Sequence, residues 1–146
     1  MKLPPLVHRA AGSADEAVAL LAEAGTDGAV LAGGQSLLLE LRYGRSAATV
    51  LVDVNRAPDL AGLAVADGEL RLAALTRHAA LERLELDDPL ARLLAAAGAH
   101  VAHPPIRARG TFAGSLAWAH PASEWCAIAR ALGARVTVRS RAGSAR

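Results

Sequence analysis

Ala29-Val30-Leu31-Ala32-Gly33-Gly34-Gln35-Ser36-Leu37-Leu38 is the stretch on which the fold turns. Ala29 to Ala32 is a short apolar run and reads as a buried strand. It enters a Gly-Gly pair directly. Ser36 to Arg42 then reads as a helix, with Ser36 as a candidate N-cap. Upstream, Ser13 and Glu16 have capping-box spacing, and Asp15 also lies in the first turn. Ala17, Leu20, Leu21 and Ala24 share a helical face, and Gly25 is placed to end that helix. Downstream, Thr49-Val50-Leu51-Val52-Asp53-Val54 is rich in β-branched residues and reads as a strand. Helix, strand, Gly turn, helix and strand in that order make an α/β unit with parallel pairing.

The pattern changes after Pro58. Leu63 and Val65 alternate with small residues, as do Leu70 and Leu72, and Asp67-Gly68 between them is a hairpin signal. Thr76 is a candidate cap for a short helix through Leu84. Pro89 opens a helix ending near Gly98, and residues 100–110, with Pro104 and Pro105, read as irregular. Pro121 to Leu132 reads as a helix, and Arg135-Val136-Thr137-Val138-Arg139 as a strand. Arg141-Ala142-Gly143-Ser144 reads as a hairpin turn with no returning strand, which leaves an edge that proteins usually pair or cover. The lobe boundary falls near Asn55 to Gly62, giving an N-terminal α/β lobe over residues 1–57 and a second lobe over 58–146.

The chain has 146 residues, 53% of them hydrophobic and 21% charged, which is a globular balance. Much of the apolar content is Ala, and aromatics are only 3%, so few large anchors are available for the core. The formal charge is +2, with Lys2 the only lysine and no run of like charges, which argues against an extended nucleic-acid surface. Cys126 is the only cysteine, so an internal disulfide, a zinc site or an iron–sulfur cluster cannot be built from this chain. Residues 1–5 lack a signal-peptide core, and no run reaches the roughly 18 apolar residues of a membrane span, so the cytoplasm is the default location.

Gly33 and Gly34, after a strand and before a helix, stand where a phosphate site needs them. Glycine lets the backbone come close, and the N–H groups of the turn and helix start point at the anion. Gln35 and Ser36 add side-chain donors. Gly110 to Ser115 is a second turn of similar chemistry, with hydroxyls on Thr111 and Ser115 and close approach at Gly114. On spacing alone each signal is weak, since a Gly-Gly pair is more often a tight turn. The fingerprints of nicotinamide and P-loop sites are absent. His100, His103 and His120 read as loop histidines more than as a metal set. Ser123-Glu124 begins a predicted helix and reads equally as a capping pair or a ligand contact. Arg107 and Arg109 read as surface arginines before phosphate ligands, Asp53 and Asn55 as turn-formers, and Cys126 as a small core residue. No nucleophilic triad or catalytic residue stands out.

Taken together, the two turns carry a resemblance. Leu31-Ala32-Gly33-Gly34-Gln35-Ser36-Leu37-Leu38 resembles the first flavin motif of the medium subunit of molybdenum hydroxylases, the xanthine dehydrogenase and aerobic carbon monoxide dehydrogenase family. Ile106-Arg107-x-Arg109-Gly110-Thr111-x-x-Gly114-Ser115-Leu116-Ala117 resembles its second. Leu51-Val52-Asp53-Val54, Leu60-x-Gly62-Leu63 and Leu132-Gly133-Ala134-x-Val136 also look like that family. The resemblance implies a two-lobed α+β FAD-binding domain of the molybdopterin dehydrogenase type, with FAD as cofactor and its pyrophosphate between the two turns. By position, it implies cofactor contacts from Leu31, Ala32, Gly33, Gly34, Gln35, Ser36 and Leu37. From the second motif it implies Gly110, Thr111, Gly114, Ser115 and Ala117, and Ser123 with Glu124 match a later polar pair.

The same resemblance implies a hetero-oligomer. A molybdopterin-binding large subunit oxidises the substrate, an iron–sulfur small subunit relays the electrons, and the flavin passes them to an external acceptor. This chain would then need no acid–base residue of its own. It departs from the family pattern at Pro105, Ala108, Ala113 and His120. Ala113 replaces a glycine and is compatible with the motif if its φ is negative. Family members continue for roughly as much chain again, so the sequence reads as C-terminally truncated. Two readings follow: a FAD-binding electron-transfer subunit, or a truncated, non-catalytic relative serving in assembly or as a split-gene fragment.

Overall fold

The computed structural model describes residues 3, 5–85 and 87–145. Their contacts divide the chain into two compact units, residues up to 60 together with 133 onward, and residues 61–132.

The first unit is built on a three-stranded parallel sheet. Strand β1 (Val7–Ala10) is followed by helix α1 (Ala14–Ala24), strand β2 (Gly28–Leu31), helix α2 (Leu37–Arg42) and strand β3 (Val50–Asp53). The order is β1-β3-β2, so the strand latest in sequence is the central one. Val50 sits opposite both Val7 and Gly28, and Asp53 opposite both Ala10 and Leu31. Leu51 and Val52 are accordingly buried, whereas β2 is an edge strand with Val30 exposed. The expected buried strand is therefore half-buried, because only one of its edges is paired. Its end also falls one residue earlier than read, leaving Ala32 in the turn.

The caps of α1 behave as the sequence requires. The Ser13 hydroxyl accepts from the Glu16 N–H at 3.1 Å, the Glu16 carboxylate accepts from the Gly12 N–H at 2.7 Å, and Gly25 ends the helix at φ 57°. Leu41, Ala48 and Leu51 form a core, with Leu6, Ala29, Leu31 and Leu37 packed on it. Residues 133–145 belong with this unit, whereas the sequence reading places them in the second lobe. Arg139 Nη2 lies 2.6 Å from Asp15 Oδ1, which ties the hairpin to the start of α1. That hairpin does have a returning strand. β6 (Val138–Ser140) pairs antiparallel with β7 (Gly143–Ala145), and the strand expected over 135–139 begins only at Val138.

The second unit opens with the expected hairpin, β4 (Leu63–Ala66) and β5 (Glu69–Leu72), joined by Asp67 and Gly68 at φ 54° and 73°. Two positive φ values in succession match the twist of the flanking strands. Among the described residues five helices follow: α3 (His78–Glu82), α4 (Pro89–His100), α5 (Pro104–Arg109), α6 (Phe112–Trp118) and α7 (Glu124–Ala131). Leu81, Leu94, Val101 and Trp125 are their buried centre, with Leu63, Leu70 and Leu72 of the hairpin packed against it. Trp125 is fully buried and supplies the large anchor that the aromatic-poor composition withholds elsewhere.

Several readings of this unit are corrected. Thr76 does not cap α3; its buried hydroxyl donates to the Gly62 carbonyl at 2.7 Å. Gly98 does not end α4 but lies inside it, where a Cβ would come within 3.0 Å of the Glu82 backbone, so it permits α3 and α4 to touch. Pro104 and Pro105 start a helix instead of breaking one, because proline suits the first helical turn. α7 begins at Glu124, not Pro121, leaving residues 121–122 as a turn.

Candidate functional site

Residues 32–36 form the turn between β2 and α2. Gly34 has φ +73°, and a Cβ there would also press on the Leu38 and Leu31 side chains at 3.1 and 3.3 Å. Only glycine adopts this conformation without strain. Among the described residues, no acceptor takes the N–H groups of Gly33, Gly34, Gln35 or Ser36. The Ser36 hydroxyl likewise makes no cap bond to α2. A run of successive unengaged N–H donors around a left-handed residue is the geometry of an anion-binding nest. The Gln35 side chain is not an outward donor alone; its amide donates back to the Gly33 carbonyl at 3.1 Å and stiffens the turn.

Asn55 fixes the root of this turn. Its side-chain N–H₂ donates to the Ala32 carbonyl at 2.8 Å and to the Asp53 carboxylate at 2.6 Å, while its backbone N–H donates to the same carboxylate at 2.9 Å. Asp53 also meets His8 Nε2 at 2.9 Å. Burial pushes the Asp53 carboxyl up, but the hydrogen bonds from Asn55, joined by that from His8 and its charge, hold it below the ordinary aspartate value. Asn55 is thus more than a turn-former, since it ties the turn to the end of the central strand.

The second motif has a different form. Gly110 to Ser115 is not a loop turn but the start of α6, with Thr111 as its N-cap. The Thr111 hydroxyl accepts from the Gly114 N–H at 3.1 Å, the Phe112 N–H reaches the Thr76 carbonyl at 2.9 Å, and the Ser115 N–H reaches Thr111 at 3.1 Å. Ala113 lies within the helix and outside the positive-φ residues, so its replacement of a glycine meets no backbone objection. The two glycines serve neighbours. A Cβ on Gly114 would fall 2.6 Å from Thr111 Oγ1, and one on Gly110 would fall 2.6 Å from the His78 ring. Ala117, one turn further, is exposed.

Ser123 and Glu124 lie in the same unit. Ser123 caps α7 through its backbone and makes no side-chain cap bond, and Glu124 is the first helical residue and exposed. They lead directly into Trp125, whose Nε1–H donates to His78 Nδ1 at 2.9 Å. The next residue, Cys126, is only partly buried, and its Sγ reaches the Ser115 carbonyl at 3.5 Å. Burial, with Arg77 adding repulsion and Glu124 opposing it, pushes the His78 imidazole down to about 4, so it is neutral at ordinary pH. Sequence reading passed over His78; the available signal was a tryptophan in an Ala-rich helix, whose buried N–H requires an acceptor.

Arg107 does not face a ligand. It is buried and forks onto the Glu82 carboxylate at 2.8 and 2.9 Å, with Nη1 on the Val101 and Ala102 carbonyls. The Arg109 side chain is exposed, and its carbonyl accepts from Arg77. His103 caps α5 through its backbone, and His120 Nδ1 accepts from the Ala122 N–H at 3.2 Å. No helix among the described residues is long and apolar enough to cross a membrane.

The free donors of the first turn suit an anionic group. A family model described as the FAD binding domain in molybdopterin dehydrogenase matches residues 7–146. The chain is 42% identical over 143 residues to subunit alpha of the 6-hydroxypseudooxynicotine dehydrogenase complex of Paenarthrobacter nicotinovorans, covering 98% of this chain and 48% of that one. It is 34% identical over 129 residues to the carbon monoxide dehydrogenase medium chain of Hydrogenophaga pseudoflava, covering 88% and 45%. Its fold superimposes on quinoline 2-oxidoreductase of Pseudomonas putida 86 with a TM-score of 0.90 and 34% identity, over 99% of this chain and 50% of that one. The chain therefore spans about half the length of the relatives it matches.

Proposed function

Because the chain belongs to the family of FAD-binding domains of molybdopterin dehydrogenases, with the family's α+β fold and FAD as its cofactor, we propose that it serves as the electron-transferring flavin piece of a molybdenum hydroxylase. In that role FAD supplies the redox chemistry, taking electrons from iron–sulfur clusters on a small partner subunit and delivering them to an external acceptor. The substrate is oxidised on a molybdopterin-binding large subunit. The chain's own residues bind and orient the dinucleotide.

The observation that carries this reading is the row of unengaged N–H groups from Gly33 to Ser36, arranged around Gly34 at φ +73°. We assign the pyrophosphate to that row and to the Ser36 hydroxyl. Leu31, Ala32 and Leu37 frame it, and Gln35 braces it through Gly33. Gly110, Thr111, Gly114, Ser115 and Ala117 are assigned to FAD as the second motif, with Ser123 and Glu124 as its later polar contacts. Arg107 is left out of the site, since its guanidinium is committed to Glu82.

Titration of the purified protein with FAD, followed by flavin fluorescence with FMN and riboflavin as controls, tests the assignment. Saturable binding that requires the full dinucleotide is the expected result. A folded protein that takes none of the three would favour the non-catalytic assembly role instead.

A further inference from the structure

His78 is buried at the start of α3, and nothing in the flavin assignment uses it. Its position is fixed from two sides. Trp125, fully buried, donates to Nδ1 at 2.9 Å and stacks on the ring with centroids 5.9 Å apart and planes at 28°. An Nδ1 that accepts leaves the proton on Nε2 in the neutral ring. On the other side, the Nε2–Cδ2 edge lies where a Cβ of Gly110 would be, 2.6 Å from both atoms. The His78 backbone N–H also donates to the Gly110 carbonyl at 3.1 Å. Gly110 immediately precedes Thr111, the cap on which the second motif is built. Residues 76–78 and 109–112 are further joined by an antiparallel bridge between Arg77 and Thr111, by Arg77 to the Arg109 carbonyl, and by the Phe112 N–H to Thr76.

We propose that His78 is a positioning residue for the second flavin motif, setting through Gly110 the geometry in which Thr111 to Ser115 meet FAD. The inference rests on the assignment of that motif to FAD. It explains why the motif begins with glycine although Gly110 is not at positive φ: the missing side chain makes room for an imidazole, not for a phosphate. It also requires the ring to be neutral, because a second proton on Nδ1 would face the Trp125 N–H donor. The charged groups acting on the ring are Arg77 and Glu124, and burial outweighs the attraction of Glu124.

The test is a double-mutant cycle read in FAD affinity on the full-length protein, with Trp125 fluorescence and thermal melting as folding controls. His78→Ala is expected to weaken FAD about tenfold, and His78→Asn, which keeps an acceptor near the Nδ1 position, less than about threefold. Gly110→Ala is expected to cost about tenfold in the parent but less than about twofold on top of His78→Ala, because the Cβ then enters the space the ring has left. A merely structural role would lower melting temperatures without this coupling in affinity. Should His78→Ala not fold, His78→Asn is compared with His78→Leu, which fills the space without an acceptor; equal FAD affinities for the two overturn the proposal. So does a Gly110→Ala effect that is the same in both backgrounds. A parent protein that takes no FAD sinks the flavin assignment and this proposal together, whereas binding by the parent with unresponsive variants sinks this proposal alone.

Discussion

The two glycine-bearing motifs look alike as sequence and use their hydrogen bonds differently. Among the described residues, 33–36 leave four successive N–H groups without a partner, around a glycine that must be glycine for its own backbone. In residues 110–115 the donors of Gly110, Phe112, Gly114 and Ser115 are taken by the protein, leaving those of Thr111 and Ala113 without an acceptor among the described residues, and the glycines are small for the sake of His78 and Thr111. Buried or half-buried backbone donors are rarely left idle without a ligand or water to take them. The first motif thus keeps its donors available to a ligand, and the second spends most of its own on the fold. A glycine in a flavin-like motif can mark an approach by ligand or an approach by protein, and only the neighbours distinguish them.

The contrast can be broken most sharply at Gly34. Gly34→Asp places a carboxylate in the donor row and a side chain at φ +73°. Like-charge contact with a diphosphate costs several kcal/mol, so FAD affinity should fall by about 1,000-fold or more, with the melting temperature changed far less. Unaltered affinity in a titration would remove the receptor role from this turn.

A second, somewhat smaller effect belongs to the second motif. The His78 imidazole is held at about 4 against an ordinary 6.5. The unfolded chain therefore binds a proton in this window that the folded chain refuses, so stability falls as pH drops. The contribution is fully present above 6.5 and is lost progressively down to about 4. The whole loss approaches roughly 3 kcal/mol. Chemical denaturation between pH 7 and pH 4, compared for the parent and His78→Asn, reads it out. An equal acid dependence in both proteins would mean another group is responsible.

The smallest expected effect sharpens the contrast. Thr111→Ala removes the cap that takes the Gly114 N–H. Loss of such a cap costs about 1 kcal/mol of stability. Because that hydroxyl is turned toward its own helix, FAD affinity should fall only through the altered helix start, by less than the roughly tenfold expected for His78→Ala, which paired melting and titration experiments would reveal.

Much of this was legible in the sequence where the signal is local. Ser13 with Glu16, Gly25, and Asp67-Gly68 each act within a few residues, and the structure keeps all three. The first motif was legible for the same reason, since strand, glycine pair and helix are contiguous. What stayed hidden depends on residues distant in sequence. Gly110 is explained by His78, Gly98 by Glu82, and the place of Arg107 by the same glutamate. Asn55 reads as a turn-former until Ala32, 23 positions away, is seen to receive its amide. Pro104 and Pro105 misled because proline signals a break or a beginning, depending on which side the helix lies.

The strand order β1-β3-β2 has a consequence for how the chain is made. As the polypeptide leaves the ribosome, β1 and β2 emerge before the strand to which both bond. Val7 waits for Val50, and Gly28 waits for the same residue. The sheet therefore cannot form before Val50 to Asp53 are available, and the nascent chain carries two unpaired strands until then. A delay after β2 has emerged from the ribosome and before β3 follows would lengthen the interval in which a nascent chain is most open to mispairing.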